Sequence, residues 1–188
     1  MILSNGITVF HGSYMAVKTP DLSKCEEGKD FGKGFYVTTD EAQARRFVKS
    51  AVGKAAKNGI VGIDPGQGFV SKYSYRENPG LKIHVFNDAD REWLHCVAGH
   101  RRSGLLSSAV EKWKDYDIVV GKIANDNTNQ VITAYINGLY GEVGSESADQ
   151  IAIGLLMPER LTDQICFRTK KALQTLQYVN YEAVTIKR

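Results

Sequence analysis

The chain has 188 residues, 43% of them hydrophobic and 24% charged, with a formal net charge of +3 and an isoelectric point near 8.7. That is enough apolar material for one compact domain over residues 1–188, and it excludes an intrinsically disordered chain. The charge would help an anionic ligand approach, but it is too mild for a dedicated nucleic-acid binder with a dense basic stripe.

Three cysteines, Cys25, Cys96 and Cys166, lie far apart with no CxxC pair. Their odd number and spacing argue against a disulfide framework or a structural zinc site and fit a reducing compartment. The N-terminal "MILSNGITVFHG" lacks a cationic region followed by a long apolar run, and no stretch approaches a membrane span. The expectation is a cytoplasmic protein with no membrane partner.

In chain order, "ITVFHG" predicts a first strand that ends in a turn at Gly12 and Ser13, and "GFYVTT" predicts a second. Asp40, with Gln43 three positions on, forms a capping-box pattern. After it, Ala44, Phe47, Val48, Ala51, Val52 and Ala55 recur at helical spacing until Asn58-Gly59. "FVSKYSY" and "LKIHVF" read as strands on either side of a Glu77–Gly80 turn, and Trp93, Leu94, Val97 and Ala98 mark a short helix.

"DIVVGKIA" predicts a strand buried on both faces. Val131, Ile132, Tyr135, Ile136 and Leu139 form one helical stripe. Ala148, Ile151, Ala152 and Leu155 form another, stopped by Pro158. "DQICFRT", a short helical "KKALQTL" and "YEAVTIK" close the chain. Without regular βαβ alternation, the fold class predicted is α+β, with helices against a largely antiparallel sheet.

Several familiar motifs are absent. "DFG" stands without the other kinase segments, there is no GxxxxGK[ST] loop, and "GIDPGQG" has the wrong spacing for a dinucleotide fingerprint. The four histidines form no HExxH pair, so no metal site is predicted. His100-Arg101-Arg102 reads as a solvated helix end, with a nucleic-acid contact as the competing reading.

What remains is an ordered set: "FHGS", "FGKGFYVTT" and "DQICFRT". In order and approximate spacing it resembles the ADP-ribosyltransferase-like proteins of the diphtheria-toxin and poly(ADP-ribose) polymerase type. More narrowly, "PDL", "DFGKGFYVTTD", "YDIVVGKIAND" and "QICFRTKKAL" resemble recurring segments of a bacterial family grouped with that fold.

The resemblance implies an ADP-ribosyltransferase-like fold, a largely antiparallel split sheet flanked by helices, with NAD as the substrate. It implies a catalytic set of His11, Tyr36 and Gln164. The NAD-binding residues would be His11, Gly12, Ser13, Gly32, Lys33, Gly34 and Tyr36. His11 would bond the adenosine ribose, the Gly12 backbone would hold the nicotinamide carboxamide, Tyr36 would stack on the nicotinamide ring, and Lys33 would meet the pyrophosphate.

The activity implied is NAD-dependent mono-ADP-ribosyl transfer to an unidentified macromolecular acceptor. By family analogy the chain would act as a bacterial toxin or effector, with a cognate antitoxin as a further partner. Each residue also has a plainer reading: His11 as a hydrogen-bonded structural histidine, Tyr36 as core, Gly32 and Gly34 as a turn, and Lys33 as solvated.

Position 164 departs from the glutamate that many active transferases carry. An amide accepts from a hydroxyl but bears no charge and takes no proton. A non-catalytic NAD- or nucleotide-binding or protein-interaction module, or an NAD glycohydrolase, is therefore the alternative. Asp163 is adjacent, but in a strand it faces the opposite way. Asn125, Asp126, Glu142 and Glu146 are further polar candidates without an assigned role, and Asn125 and Asp126 also read as a turn capping the next helix.

Overall fold

The computed structural model describes residues 3–123, 126–156 and 161–186. Among the described residues, seven strands and six α-helices follow in the order β1 Thr8–Ser13, β2 Phe35–Val37, α1 Glu41–Lys57, β3 Gln67–Tyr75, β4 Ile83–Val85, α2 Arg91–Arg101, α3 Ser107–Trp113, β5 Ile118–Lys122, α4 Asp126–Ile136, α5 Glu146–Leu156, β6 Asp163–Phe167, α6 Lys170–Leu173 and β7 Leu176–Thr185. Both Asn125 and Pro158 lie outside the described residues, and Asp126 opens α4.

The strands form two sheets, ordered β1-β3-β7 and β2-β6-β5-β4. Every pairing is antiparallel except β4 with β5. The class is thus α+β with a mostly antiparallel sheet system, as the lack of βαβ alternation predicts.

Strand alternation builds three apolar layers. Val9, Tyr73 and Tyr75 of the first sheet meet Phe35, Val37, Ile118, Val120, Ile165 and Phe167 of the second in a core between the sheets. On the outer face of the first sheet, Ala44, Val48 and Val52 of α1 cover Val70. On the outer face of the second, Trp93, Leu94 and Val97 of α2, Ile132 and Tyr135 of α4 and Ala148 and Ala152 of α5 cover Val119 and Cys166. The predicted double burial of β5 follows from this arrangement, since Ile118, Val119 and Val120 are all within 1% of full burial.

Local signals are realised closely in α1. Asp40 accepts from the Gln43 amide as N-cap, and the helix ends at Asn58 and Gly59, the latter at φ +70°. The reciprocal half of the capping box is replaced, because the Asp40 amide bonds Thr38 Oγ1, whose single proton has the Asp163 carbonyl at 3.0 Å and Gln43 Oε1 at 3.2 Å as acceptors.

Other expectations change in the structure. The first strand does not end in a turn: Gly12 and Ser13 continue β1 opposite Val70 and Phe69. The turn at 77–80 carries the chain from one sheet to the other, so β3 and β4 are not paired. Helix α3 carries too short an apolar pattern to be read from sequence. Leu139 lies beyond α4 and is exposed, as are Phe47, Ile151 and Leu155. No described helix is long and apolar enough to cross a membrane.

Candidate functional site

Among the described residues, one bridge joins the two sheets along an edge. Phe10 and Thr38 exchange both backbone bonds, N–H to O at 2.8 and 3.0 Å. An antiparallel ladder continued from that pair would next join Gly12 to Tyr36. It does not continue. The Tyr36 carbonyl instead accepts from His11 Nδ1 at 2.7 Å, and no backbone bond joins Gly12 to β2 among the described residues. Peptide groups alternate along a strand, so Gly12 presents its N–H and C=O to the same side as Phe10, into the split between the sheets.

His11 is held in this split by two contacts, the bond to the Tyr36 carbonyl and a tilted stack on Phe35 with ring centroids 4.3 Å apart. A carbonyl only accepts, so Nδ1 carries the proton. Burial lowers the imidazole pKa, outweighing the opposing effect of that bond. The ring is therefore neutral at pH 7, and Nε2 is an acceptor suited to a hydroxyl.

Tyr36 points the other way, to the helical face of the second sheet. Its hydroxyl donates to the Gly32 carbonyl at 2.7 Å and accepts from the Phe31 amide at 2.9 Å, which ties the glycine-aromatic loop to the strand after it. Burial, with Cys166 and Asp30 beside it, pushes the phenol well above its usual range, so it remains a donor. Phe31, fully buried, anchors the loop in the helical core.

The glycines have reasons within the fold. Gly32 adopts φ +77° and lies against the His100 ring. A Cβ on Gly34 would overlap Cys166 Sγ, and one on Gly12 would overlap the Ala44 carbonyl oxygen of α1. Ser13 is buried at the end of β1, and Lys33 is exposed at the loop tip.

Gln164 is buried on the Tyr36 side of β6, 6% exposed. Its neighbour Asp163 faces away and pairs with Lys122 across the strands at 3.2 Å, as strand alternation predicts. The Gln164 amide nitrogen donates to Asp30 Oδ2 at 2.7 Å and to the Lys122 carbonyl at 3.3 Å.

Asp30 is itself 9% exposed and pairs through Oδ1 with Arg101, at 2.8 Å from Nε and 2.6 Å from Nη2. Arg101 Nη1 continues to Asn129 Oδ1 at 2.7 Å. Sequence reading missed Asp30 and misplaced Arg101, whose side chain is 17% exposed rather than a solvated helix end. Arg102 caps the Ile136 carbonyl, so the His100-Arg101-Arg102 run is largely engaged within the molecule. The only local sign of Asp30 is a charged residue directly before an apolar one in a glycine-rich loop.

Tyr36, Gln164 and the 30–32 segment thus form one cluster, whereas the His11 ring lies on the Phe35 side of β2 and meets this cluster only through the Tyr36 carbonyl. Glu142 is exposed, and Glu146 opens α5. Among the described residues, no group of three or more His, Cys, Asp or Glu is placed to hold a metal ion. A shallow depression of about 480 Å³ beyond the end of α2, lined by Arg102, Leu105, Ile136 and Val143, is separate from the cluster.

The chain belongs to the family described as protein of unknown function (DUF3990), which matches residues 7–178 and so includes every residue of the cluster. No curated protein and no solved structure matches it.

Proposed function

We propose that this chain is an NAD-dependent mono-ADP-ribosyltransferase on a split-sheet, ADP-ribosyltransferase-like fold. The observation that carries the reading is the arrested β1–β2 ladder. It leaves the peptide edge of Gly12 without a backbone bond to the strand that bears Tyr36, and it commits only Nδ1 of a neutral His11, so that Nε2 is the nitrogen left to accept. A peptide edge offers one donor and one acceptor, the complement of a carboxamide, and Nε2 offers an acceptor for a ribose hydroxyl.

In the reaction, the bond between ribose C1′ and the nicotinamide nitrogen breaks, and nicotinamide leaves as a neutral molecule with the bonding electrons. The acceptor's nucleophile then bonds C1′ and gives up its proton. The transition state resembles an oxocarbenium ion, so groups that fix the sugar and place negative potential beside it lower the barrier. In this reading Gln164 Oε1 accepts from a ribose hydroxyl, Tyr36 lies against the nicotinamide and exposed Lys33 meets the pyrophosphate.

A toxin or effector role with a cognate antitoxin accompanies the reading by family analogy alone. The uncharged amide at position 164 favours a second reading, in which NAD is bound without transfer or is only hydrolysed.

Incubating the purified, folded protein with adenylate-labelled NAD and a cell lysate separates these outcomes. Transfer gives a labelled macromolecule together with free nicotinamide, and hydrolysis gives nicotinamide with free labelled ADP-ribose and no labelled macromolecule. The binding module gives saturable NAD binding by calorimetry with neither product. Absence of all three results removes the NAD reading.

A further inference from the structure

The cluster around Gln164 contains a feature that the assignment of His11, Tyr36 and Gln164 does not use. Position 164 is neutral, yet a carboxylate is in direct contact with it. Asp30 reaches the Gln164 amide nitrogen with Oδ2 at 2.7 Å while Oδ1 is held by Arg101, and the three side chains are mostly buried.

A carboxylate only accepts, so the side of the Gln164 amide facing Asp30 is its NH₂. The Lys122 carbonyl, at 3.3 Å, also only accepts and fixes the same orientation. With both NH₂ contacts on one side, Oε1 is turned away from Asp30. The charged pair is balanced, with one carboxylate against one guanidinium and a neutral amide between the carboxylate and the strand.

Among the described residues, the other cations near position 164 are already engaged: Arg168, whose charge reaches Cys166 and His100, donates to the Trp113 carbonyl at 2.6 Å. Lys122 is paired with Asp163. The phenol of Tyr36 and thiol of Cys166 are both pushed towards their neutral forms by burial, as is the His100 imidazole.

We propose that Asp30 is a positioning residue that holds the Gln164 amide with Oε1 as the acceptor, so that position 164 works as glutamine and not as glutamate. The charge-balance part stands on the contacts alone, and the acceptor role rests on the NAD reading above. A glutamate at 164 would set a second carboxylate against Asp30 with only Arg101 to share, and two such groups cannot both be charged without loss of stability.

The test compares wild type with Gln164→Glu, Asp30→Asn and the double variant Asp30→Asn/Gln164→Glu, by thermal unfolding at about pH 8 and pH 5 and by NAD cleavage. We expect Gln164→Glu to unfold roughly 10 °C below wild type at the higher pH. Its added carboxyl titrates above the usual range beside Asp30, so the deficit shrinks at the lower pH, where that group is protonated.

The double variant exchanges the two charge states across the same contact and recovers most of the lost Tm. Asp30→Asn alone leaves only the longer contact to the Lys122 carbonyl to orient the amide, and the expected effect is about a tenfold fall in kcat with a smaller change in KM for NAD.

Equal Tm values for wild type and Gln164→Glu at the higher pH would overturn the proposal, as would a double variant no more stable than Gln164→Glu. Unchanged kcat in Asp30→Asn would overturn the positioning role. Should wild type neither bind nor cleave NAD, the functional reading falls while the Tm comparison still decides the charge balance.

Discussion

Tyr36 has one structural duty and, in the proposed function, a second, and single atoms distinguish them. Its hydroxyl is the partner of both the Phe31 amide and the Gly32 carbonyl, whereas its ring is the surface assigned to nicotinamide. Tyr36→Phe leaves a buried donor and acceptor unpaired, a cost of about 1–3 kcal/mol. We expect its Tm to fall by roughly 3–10 °C while NAD affinity in calorimetry stays within a few-fold. Tyr36→Ala removes the stack as well, and affinity should fall by about tenfold. An unchanged Tm in Tyr36→Phe would show that the phenol does not hold the loop. His11 has a similar division: Nδ1 is spent on the backbone, and only Nε2 is available to a ligand.

Helix α1 and strand β1 show how an element contact constrains the site. Gly12 lies directly beneath the Ala44 carbonyl, where even a methyl group has no room. Gly12→Ala should force α1 away from β1 and cost about 1–3 kcal/mol, read as a lower urea midpoint at an unchanged m-value. A neutral result would mean that α1 is not seated on β1 as described.

In α5 the buried face is rotated from the one its apolar stripe marks. Asp149, 2% exposed, turns inward to accept from Tyr135 Oη at 2.5 Å and to contact His95 Nε2 at 2.8 Å and Arg91 Nε at 2.6 Å, and Ile151 and Leu155 turn outward. Three partners on other helices outweigh the local apolar pattern, because a buried carboxylate is tolerated only when it is fully paired.

Across the whole molecule, burial lowers the pKa of three histidines on different elements: His11 on β1, His84 on β4 and His100 on α2. In the unfolded chain each titrates near 6.5, so over the interval just below that value the unfolded state binds more protons. Stability is therefore full above about pH 6.5 and declines as the pH falls through the window between the unfolded and folded values. Urea unfolding at about pH 7.5 and pH 5.5 should give a lower midpoint at the acid end, with a smaller loss in His11→Gln. The depressed carboxylates Asp21, Glu26 and Asp117 act below the ordinary carboxylate range, outside this window. Equal midpoints would mean that the imidazoles are hydrated in the folded protein.

Much of the architecture was legible in the residues alone: strands from β-branched runs, α1 from its cap and 3.6-residue stripe, the double burial of β5, and the opposite facing of Asp163 and Gln164. These depend on neighbours a few positions apart, where backbone geometry sets the spacing. Only the tertiary structure decided that Asp30 meets Gln164 across a separation of 134 residues, that Arg101 turns inward, and that the ladder between the sheets stops after Phe10 and Thr38. Such contacts arise from the order and register in which strands pair. A change of register by one residue moves a side chain to the other face, so local pattern alone does not specify them.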